Sequence, residues 1–304
     1  MLSIIIPVFN SENTISELCR KLIEEINSYK LEIILINDCS KDNSEKVCIE
    51  LQKKFAEIIK FYSLAKNVGE HNAVMAGLNK STGDFAIIMD DDFQNPVSEV
   101  LKLAEYITSN DFDVVYTYYE KKKHNFFRNI GSKFNDKVSN FMLRKPKNLY
   151  LSSFKAINRF LINEVVKYDL PFPYLDGLIL RTTDKIGKIL VRHDIRVQGK
   201  SGYTFVKLFA LWMNMFTNFS ILPLRLSIYL GFIMSAFGFL MGIATIIMKI
   251  NEPTLPMGYA SLMFGLSIFS GIQLIAIGMV GEYLGRIFLS INRTPQYSIR
   301  KSFE

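Results

Sequence analysis

Histidine, cysteine and tryptophan are scarce in this 304-residue sequence, which has three His, three Cys and one Trp. His71, His124 and His193 show no paired ligand spacing, so a zinc centre is not expected. Cys19, Cys39 and Cys48 are odd in number and likewise lack ligand spacing; in a cytoplasmic domain they stay reduced and take no assigned role. No G-x-G-x-x-G follows the first apolar run and no G-x-x-x-x-G-K-[ST] occurs anywhere, so dinucleotide oxidoreductases and P-loop enzymes lose support. MLSIIIPVFN has no basic leader followed by an apolar core and cleavage site, so no removable signal peptide is expected.

Charge is missing from two whole stretches, Leu226 to Met248 and Met257 to Gly281, which contain no Asp, Glu, Lys or Arg. About 20 such residues cross a bilayer core of roughly 30 Å, so both stretches read as spanning helices rather than a buried pair in a soluble core. The short connector from Lys249 to Pro256 makes them a hairpin, with both flanks on one side. Arg225, Arg286, Arg293, Arg300 and Lys301 lie on that side, whereas the outer loop sets Lys249 beside Glu252. This asymmetry predicts an integral inner (plasma) membrane protein with both termini cytoplasmic. Glycines four apart, Gly238 with Gly242 and Gly281 with Gly285, permit close helix contact within or between chains, or are simply tolerated in lipid.

The net charge of +7 suits an anionic membrane surface or phosphate-bearing ligands, and no nucleic-acid motif accompanies it. Before the spans, β-rich runs at Leu2 to Val8, Glu32 to Asn37, Ile58 to Ser63, Phe85 to Met89 and Val114 to Tyr118 alternate with helical patterns at about 12–28, 41–54, 70–80 and 96–108. The alternation predicts an α/β fold, a mostly parallel sheet covered by helices, with ligands at the carboxyl ends of the strands. From Lys121 to Lys147 the chain turns basic and aromatic, with Phe126, Phe127, Ile130, Phe134, Val138 and Phe141 on one face of a helix at about 124–142. Alone the pattern would equally fit a helix packed on the sheet with a solvated basic side, but the hairpin favours one lying in the membrane interface. A second interfacial helix is expected at about 203–222. The domain reading is therefore 1–202 cytoplasmic and catalytic, 203–222 interfacial, 223–285 the hairpin and 286–304 a cytoplasmic tail.

The most pointed chemistry is IIMDDDFQNP, Ile87 to Pro96. If the strand end stays extended, Asp90 and Asp92 face one side with Asp91 opposite, and Gln94 rejoins the pair. Two carboxylates and an amide oxygen suit Mg²⁺ or Mn²⁺, whose shell is normally completed by substrate phosphates. The bland alternative is an acidic turn capping the helix after Pro96. A cation on a nucleoside diphosphate would favour departure of that diphosphate from its cargo, and a lipid phosphate is already largely anionic at neutral pH as an acceptor.

SIIIPVFNSENTI, IILINDCSKDNS, KNVGEHNAVMAGLNKSTGDFAIIMDDDFQNP, RVQGKSGYTFVKL, FSILPLR and GEYLGRIF together resemble glycosyltransferase family 2, in its polyisoprenyl-phosphate glycosyltransferase branch, over nearly the whole chain. The resemblance implies a GT-A-type Rossmann-like fold and transfer, with inversion, of a sugar from a nucleotide sugar, UDP favoured, to a polyprenyl (undecaprenyl) phosphate for cell-envelope glycan modification. It places Pro7, Phe9, Glu12 and Asp38 around the nucleoside, Asp90, Asp92 and Gln94 on the metal, and Arg196 near the diphosphate with Ser201 beside it. Arg128 and Ser132 become the acceptor-phosphate contacts, and family precedent adds a homo-oligomer.

Three positions depart from the family pattern: Asn37 where many members have Asp, Tyr119 where several have Arg, and Ser153-Phe154-Lys155 where some have Asp-Phe-Arg. Asp176 is the nearest spare carboxylate for a sugar contact. A processive polysaccharide synthase is disfavoured, because its Q-x-x-R-W motif is missing around Trp212. A catalytically silent nucleotide-sugar scaffold is the reading from another class.

Overall fold

The computed structural model describes residues 1–119, 146, 149–192, 222–251, 258–292 and 294–304. They form two units, one built on a sheet and one of two long helices. Arg128, Ser132, Arg196, Ser201 and both expected interfacial helices lie outside the described residues.

Strands β1 (Leu2–Val8), β2 (Leu31–Asn37), β3 (Ile59–Leu64), β4 (Phe85–Ile88) and β5 (Val114–Tyr118) alternate with α1 (Ile15–Glu25), α2 (Ser44–Lys54), α3 (Glu70–Lys80) and α4 (Val97–Ser109). After them come β6 (Lys155–Asn158), α5 (Arg159–Val165), α6 (Leu175–Thr182) and β7 (Ile186–Leu190). The sheet order is β7-β5-β6-β4-β1-β2-β3-β8, with β8 (Ile299–Phe303) pairing antiparallel to β3. Strands β1, β2, β3 and β4 pair in parallel, as does β5 with β7, whereas β6 runs antiparallel to both β4 and β5.

The parallel heart follows from composition. Ile4, Ile5, Ile6 and Val8 of β1 are wholly buried, as are Ile33 to Ile36 of β2, because helices cover both faces and leave no polar side to the strand. Gly77 lets α3 approach closely: a Cβ there would collide with the Ile5 side chain. Glu32, 3% exposed, braces the edge of the sheet away from the active loops, accepting hydrogen bonds from Ser3 Oγ (2.6 Å), Lys60 Nζ (2.6 Å) and Thr82 Oγ1 (2.8 Å).

In the second unit, α7 (Leu222–Asn251) and α8 (Tyr259–Ile291) contain apolar stretches of 22 and 24 residues, Ser227–Met248 and Ile268–Ile291, each long enough to cross a membrane. Their large side chains, Phe232, Phe239, Leu274 and Ile275 among them, are open rather than packed in a protein core. The second helix continues about ten residues past the expected end at Gly281. Among the described residues, a Cβ on Gly238, Gly242, Gly281 or Gly285 would meet nothing within 4 Å, so close packing inside the hairpin does not explain these glycines.

Candidate active site

The loops leaving β1, β2 and β4 lie at one edge of the sheet, and each contains a residue with positive φ: Asn10 (56°), Cys39 (56°) and Phe93 (61°). Non-glycine residues adopt this conformation only where surrounding contacts impose it, and such positions cluster at ligand sites. The contacts here are explicit. Asn10 N donates to Ser40 Oγ at 3.1 Å and Lys41 N returns a bond to Asn10 Oδ1 at 2.8 Å. Ser11 N donates to Ser44 Oγ at 2.7 Å, and Glu12 Oε2 accepts from Asn43 N and Nδ2 at 2.8 and 2.9 Å. The first two loops are therefore tied into one wall.

Asp38 completes that wall. Its two carboxylate oxygens accept the backbone N–H groups of Val68 (2.7 Å) and Gly69 (2.9 Å), shaping the turn into α3, where Gly69 has φ +87°. Burial raises its pKa, against the lowering effect of those two amides. The carboxylates of Asp38 and Glu12 are thus engaged by the protein itself. Above them Phe9 is 46% exposed and Pro7 partly so, an apolar shelf suited to a planar base.

The third loop corrects the extended-strand argument. Strand β4 stops at Ile88 and the chain turns sharply at Phe93, so simple alternation does not govern Asp90 to Gln94. Asp92 Oδ1 instead accepts Gln94 N at 3.0 Å, a local turn that draws these two residues together. Asp90 Oδ2 accepts Ser153 Oγ at 2.8 Å. Asp91 does not simply face away: its Oδ2 accepts Phe9 N at 3.1 Å and also bonds Ser11 Oγ, joining the turn to the β1 loop. Burial first, with the neighbouring Asp90 and Asp92 charges adding to it, pushes Asp91 up to about 6 despite these bonds.

The donor set fits a hard divalent ion that shares its shell with a ligand. Asp90, Asp92 and Gln94 offer oxygen donors on one turn, and among the described residues no group of three His, Cys, Asp or Glu forms a complete cage. Diphosphate oxygens would supply the rest of the shell.

Asp176 turns out to be a brace. It is 6% exposed on α6, and its Oδ1 accepts Tyr116 OH at 2.9 Å and pairs with Lys155 Nζ, itself 3% exposed. Sequence reasoning missed this pair and the Ser153 contact because it predicted no β6. The one available signal was Ser153-Phe154-Lys155 itself, which marks where the chain departs from related sequences.

Comparison with known proteins places this geometry in context. The chain is 30% identical over 307 residues to the undecaprenyl-phosphate 4-deoxy-4-formamido-L-arabinose transferase of Proteus mirabilis, covering 98% of this chain and 93% of the relative. It is 29% identical to the protein of that name from Pectobacterium atrosepticum, covering 99% and 93%. Among solved structures, the glucosyl-3-phosphoglycerate synthase of Mycobacterium tuberculosis, in complex with Mn²⁺, UDP and phosphoglyceric acid, superposes with a TM-score of 0.51 at 18% identity, covering 71% of this chain and 78% of that one. That likeness shows the shared GT-A-type fold. The model for glycosyl transferase family 2 matches residues 3–166, more than half of the sequence, and the chain belongs to that family.

Proposed function

We propose that this protein transfers a sugar from a nucleotide sugar, UDP favoured, to undecaprenyl phosphate at the cytoplasmic face of the inner membrane, with Mg²⁺ or Mn²⁺ and with inversion at the anomeric carbon. The observation that carries the reading is the union, in one chain, of the acidic turn at the sheet edge with two membrane-length helices, along a length shared with transferases named for undecaprenyl phosphate.

Phe9 and Pro7 receive the base on the wall that Glu12 and Asp38 hold in shape. Asp90, Asp92 and Gln94 hold the cation, which when bound offsets the charge that grows on the departing diphosphate. Arg196, with Ser201, is assigned to the diphosphate, where a guanidinium binds oxygens bidentately. Arg128 and Ser132 are assigned to the acceptor phosphate. An acceptor phosphate oxygen attacks the anomeric carbon from the face opposite the diphosphate; the new C–O bond forms as the old one breaks, and the nucleoside diphosphate leaves with the electron pair. With a second phosphate pKa near ~6 the attacking oxygen carries no proton at neutral pH, so positioning replaces a general base.

Chain topology supports two spans. Strand β7 precedes α7 and β8 follows α8 in one sheet, so the intervening chain must cross a membrane an even number of times. Arg225, Arg286, Arg293, Arg300 and Lys301 favour the cytoplasm for that side. On this reading the segment 286–304 contributes β8 to the catalytic domain rather than a bare tail, and the open glycine faces serve contacts between copies in a homo-oligomer.

The test is incubation of membranes containing the protein with undecaprenyl phosphate, Mg²⁺ or Mn²⁺ and a panel of labelled UDP- and GDP-sugars, a UDP-linked 4-formamido-arabinose first. Label entering solvent-extractable lipid is expected with one of them. Nucleotide binding with no lipid labelling across the panel would leave a silent scaffold as the better description.

A further inference from the structure

The stub preceding β6 meets two neighbours by register. Strands β4 and β6 pair antiparallel as far as Ile88 opposite Lys155, two residues short of Asp90 and Ser153. Strands β5 and β6 pair as far as Tyr116 opposite Lys155, three residues short of Tyr119 and Ser152. Side chains join at both places: Ser153 Oγ donates to Asp90 Oδ2 at 2.8 Å, and Ser152 Oγ lies 3.3 Å from Tyr119 OH. Tyr119 OH in turn donates to Asn95 Oδ1 at 3.2 Å, and Asn95 is 3% exposed. The acidic turn is therefore gripped at its first residue by Ser153 and at its last by Tyr119, with adjacent serines on one strand end behind both.

From this geometry we propose that Ser153 and Tyr119 are positioning residues for cation binding. Ser153 fixes the rotation of the Asp90 carboxylate, Tyr119 fixes the far end of the turn through Asn95, and Ser152 couples the two. The inference rests on the metal assignment above. A carboxylate ligand whose orientation is held by a hydrogen bond is presented to the ion at no ordering cost on binding, and loss of such a partner weakens metal affinity by about 10–100-fold. Hydroxyls suit this task because they orient the carboxylate without neutralising it, as a lysine or arginine would.

The readout is Mn²⁺ binding in the presence of UDP, followed by loss of the free-ion electron paramagnetic resonance signal on the detergent-solubilised full chain. Ser153→Ala is expected to weaken Mn²⁺ binding about 10–100-fold with an unchanged thermal midpoint, and Ser153→Thr, which keeps Oγ, to recover most of the loss. Tyr119→Phe removes only the distal hydroxyl and is expected to cost about 2–10-fold. The double variant should fall short of the product of the two effects, since both act on one turn. Equal Mn²⁺ affinity in Ser153→Ala and wild type, with wild type binding well, would overturn the positioning role alone. Absence of UDP-dependent Mn²⁺ binding in wild type would overturn the metal assignment together with it.

Discussion

Carboxylates on the two sides of the sheet edge do opposite work. On the β1–β2 side, Glu12 and Asp38 are engaged by protein N–H groups and build a wall; on the β4 side, Asp90 and Asp92 sit on the turn to which the proposed function assigns a cation. The two sides differ in what meets the acid: Asp38 gives both carboxylate oxygens to backbone N–H groups of a distant loop, whereas Asp92 bonds the backbone N–H of Gln94 within its own turn and Asp90 bonds the Ser153 hydroxyl. Asp176 is held differently again, by buried Lys155 and the Tyr116 hydroxyl rather than by backbone donors.

The comparison breaks most sharply at Asp92. Asp92→Ala is expected to reduce lipid labelling by about 10³-fold or more, corresponding to the several kcal/mol that a cation supplies, while the variant inserts and folds as wild type. Normal turnover would move Asp92 to the side of the braces. Asp176→Ala should do the reverse. It strands a lysine that is 3% exposed, so the sheet unit is expected to lose about 3–5 kcal/mol of stability, read as a thermal midpoint lowered by many degrees in detergent.

A gentler probe is Glu32→Gln. Burial acts to raise the pKa of Glu32, but the hydrogen bonds from Lys60, Ser3 and Thr82 outweigh it and hold the value below the usual carboxylate range. A depressed folded-state value stabilises above the unfolded pKa of about 4.3, and that contribution is lost as pH falls through the folded value. The thermal midpoints of wild type and Glu32→Gln should therefore differ most at neutral pH and converge in acid; a gap that widened below pH ~4 would contradict the assignment. Asp38, held among the described residues by amides without a cation, is shifted the other way, burial outweighing the two amide bonds. The smallest effect is expected at Lys301 of β8, whose bond to Glu45 at 2.6 Å is half exposed. Lys301→Met should cost about 0.2–1 kcal/mol, and less at high salt.

The sequence displayed its regular part well. Strands β1 to β5 and helices α1 to α4 lie within a few residues of their expected bounds, because unbroken isoleucine runs and amphipathic helices carry the signal locally. Strands β6, β7 and β8 were not legible, since KAIN, IGKIL and IRKSF each mix lysine into a short strand. Lys155 is buried only because Asp176, 21 residues on, neutralises it, and no local pattern announces that. At the site the acidic turn was legible as a cluster, but which carboxylates the protein itself engages depended on contacts across 30 to 82 residues, such as Val68 to Asp38 and Phe9 to Asp91.

Strand β8 gives the protein a calendar. Tyr62 beside β8 bonds Glu304 across a separation of 242 residues, with both long helices between them. At roughly 5–20 residues per second of synthesis, the outer edge of β3 waits on the order of ten to fifty seconds for its partner. During that interval it is an unpaired strand edge, open to wrong pairing. The strand that completes this edge of the sheet is made only after both apolar helices, so a chain cut short within them lacks β8 and leaves β3 an open edge.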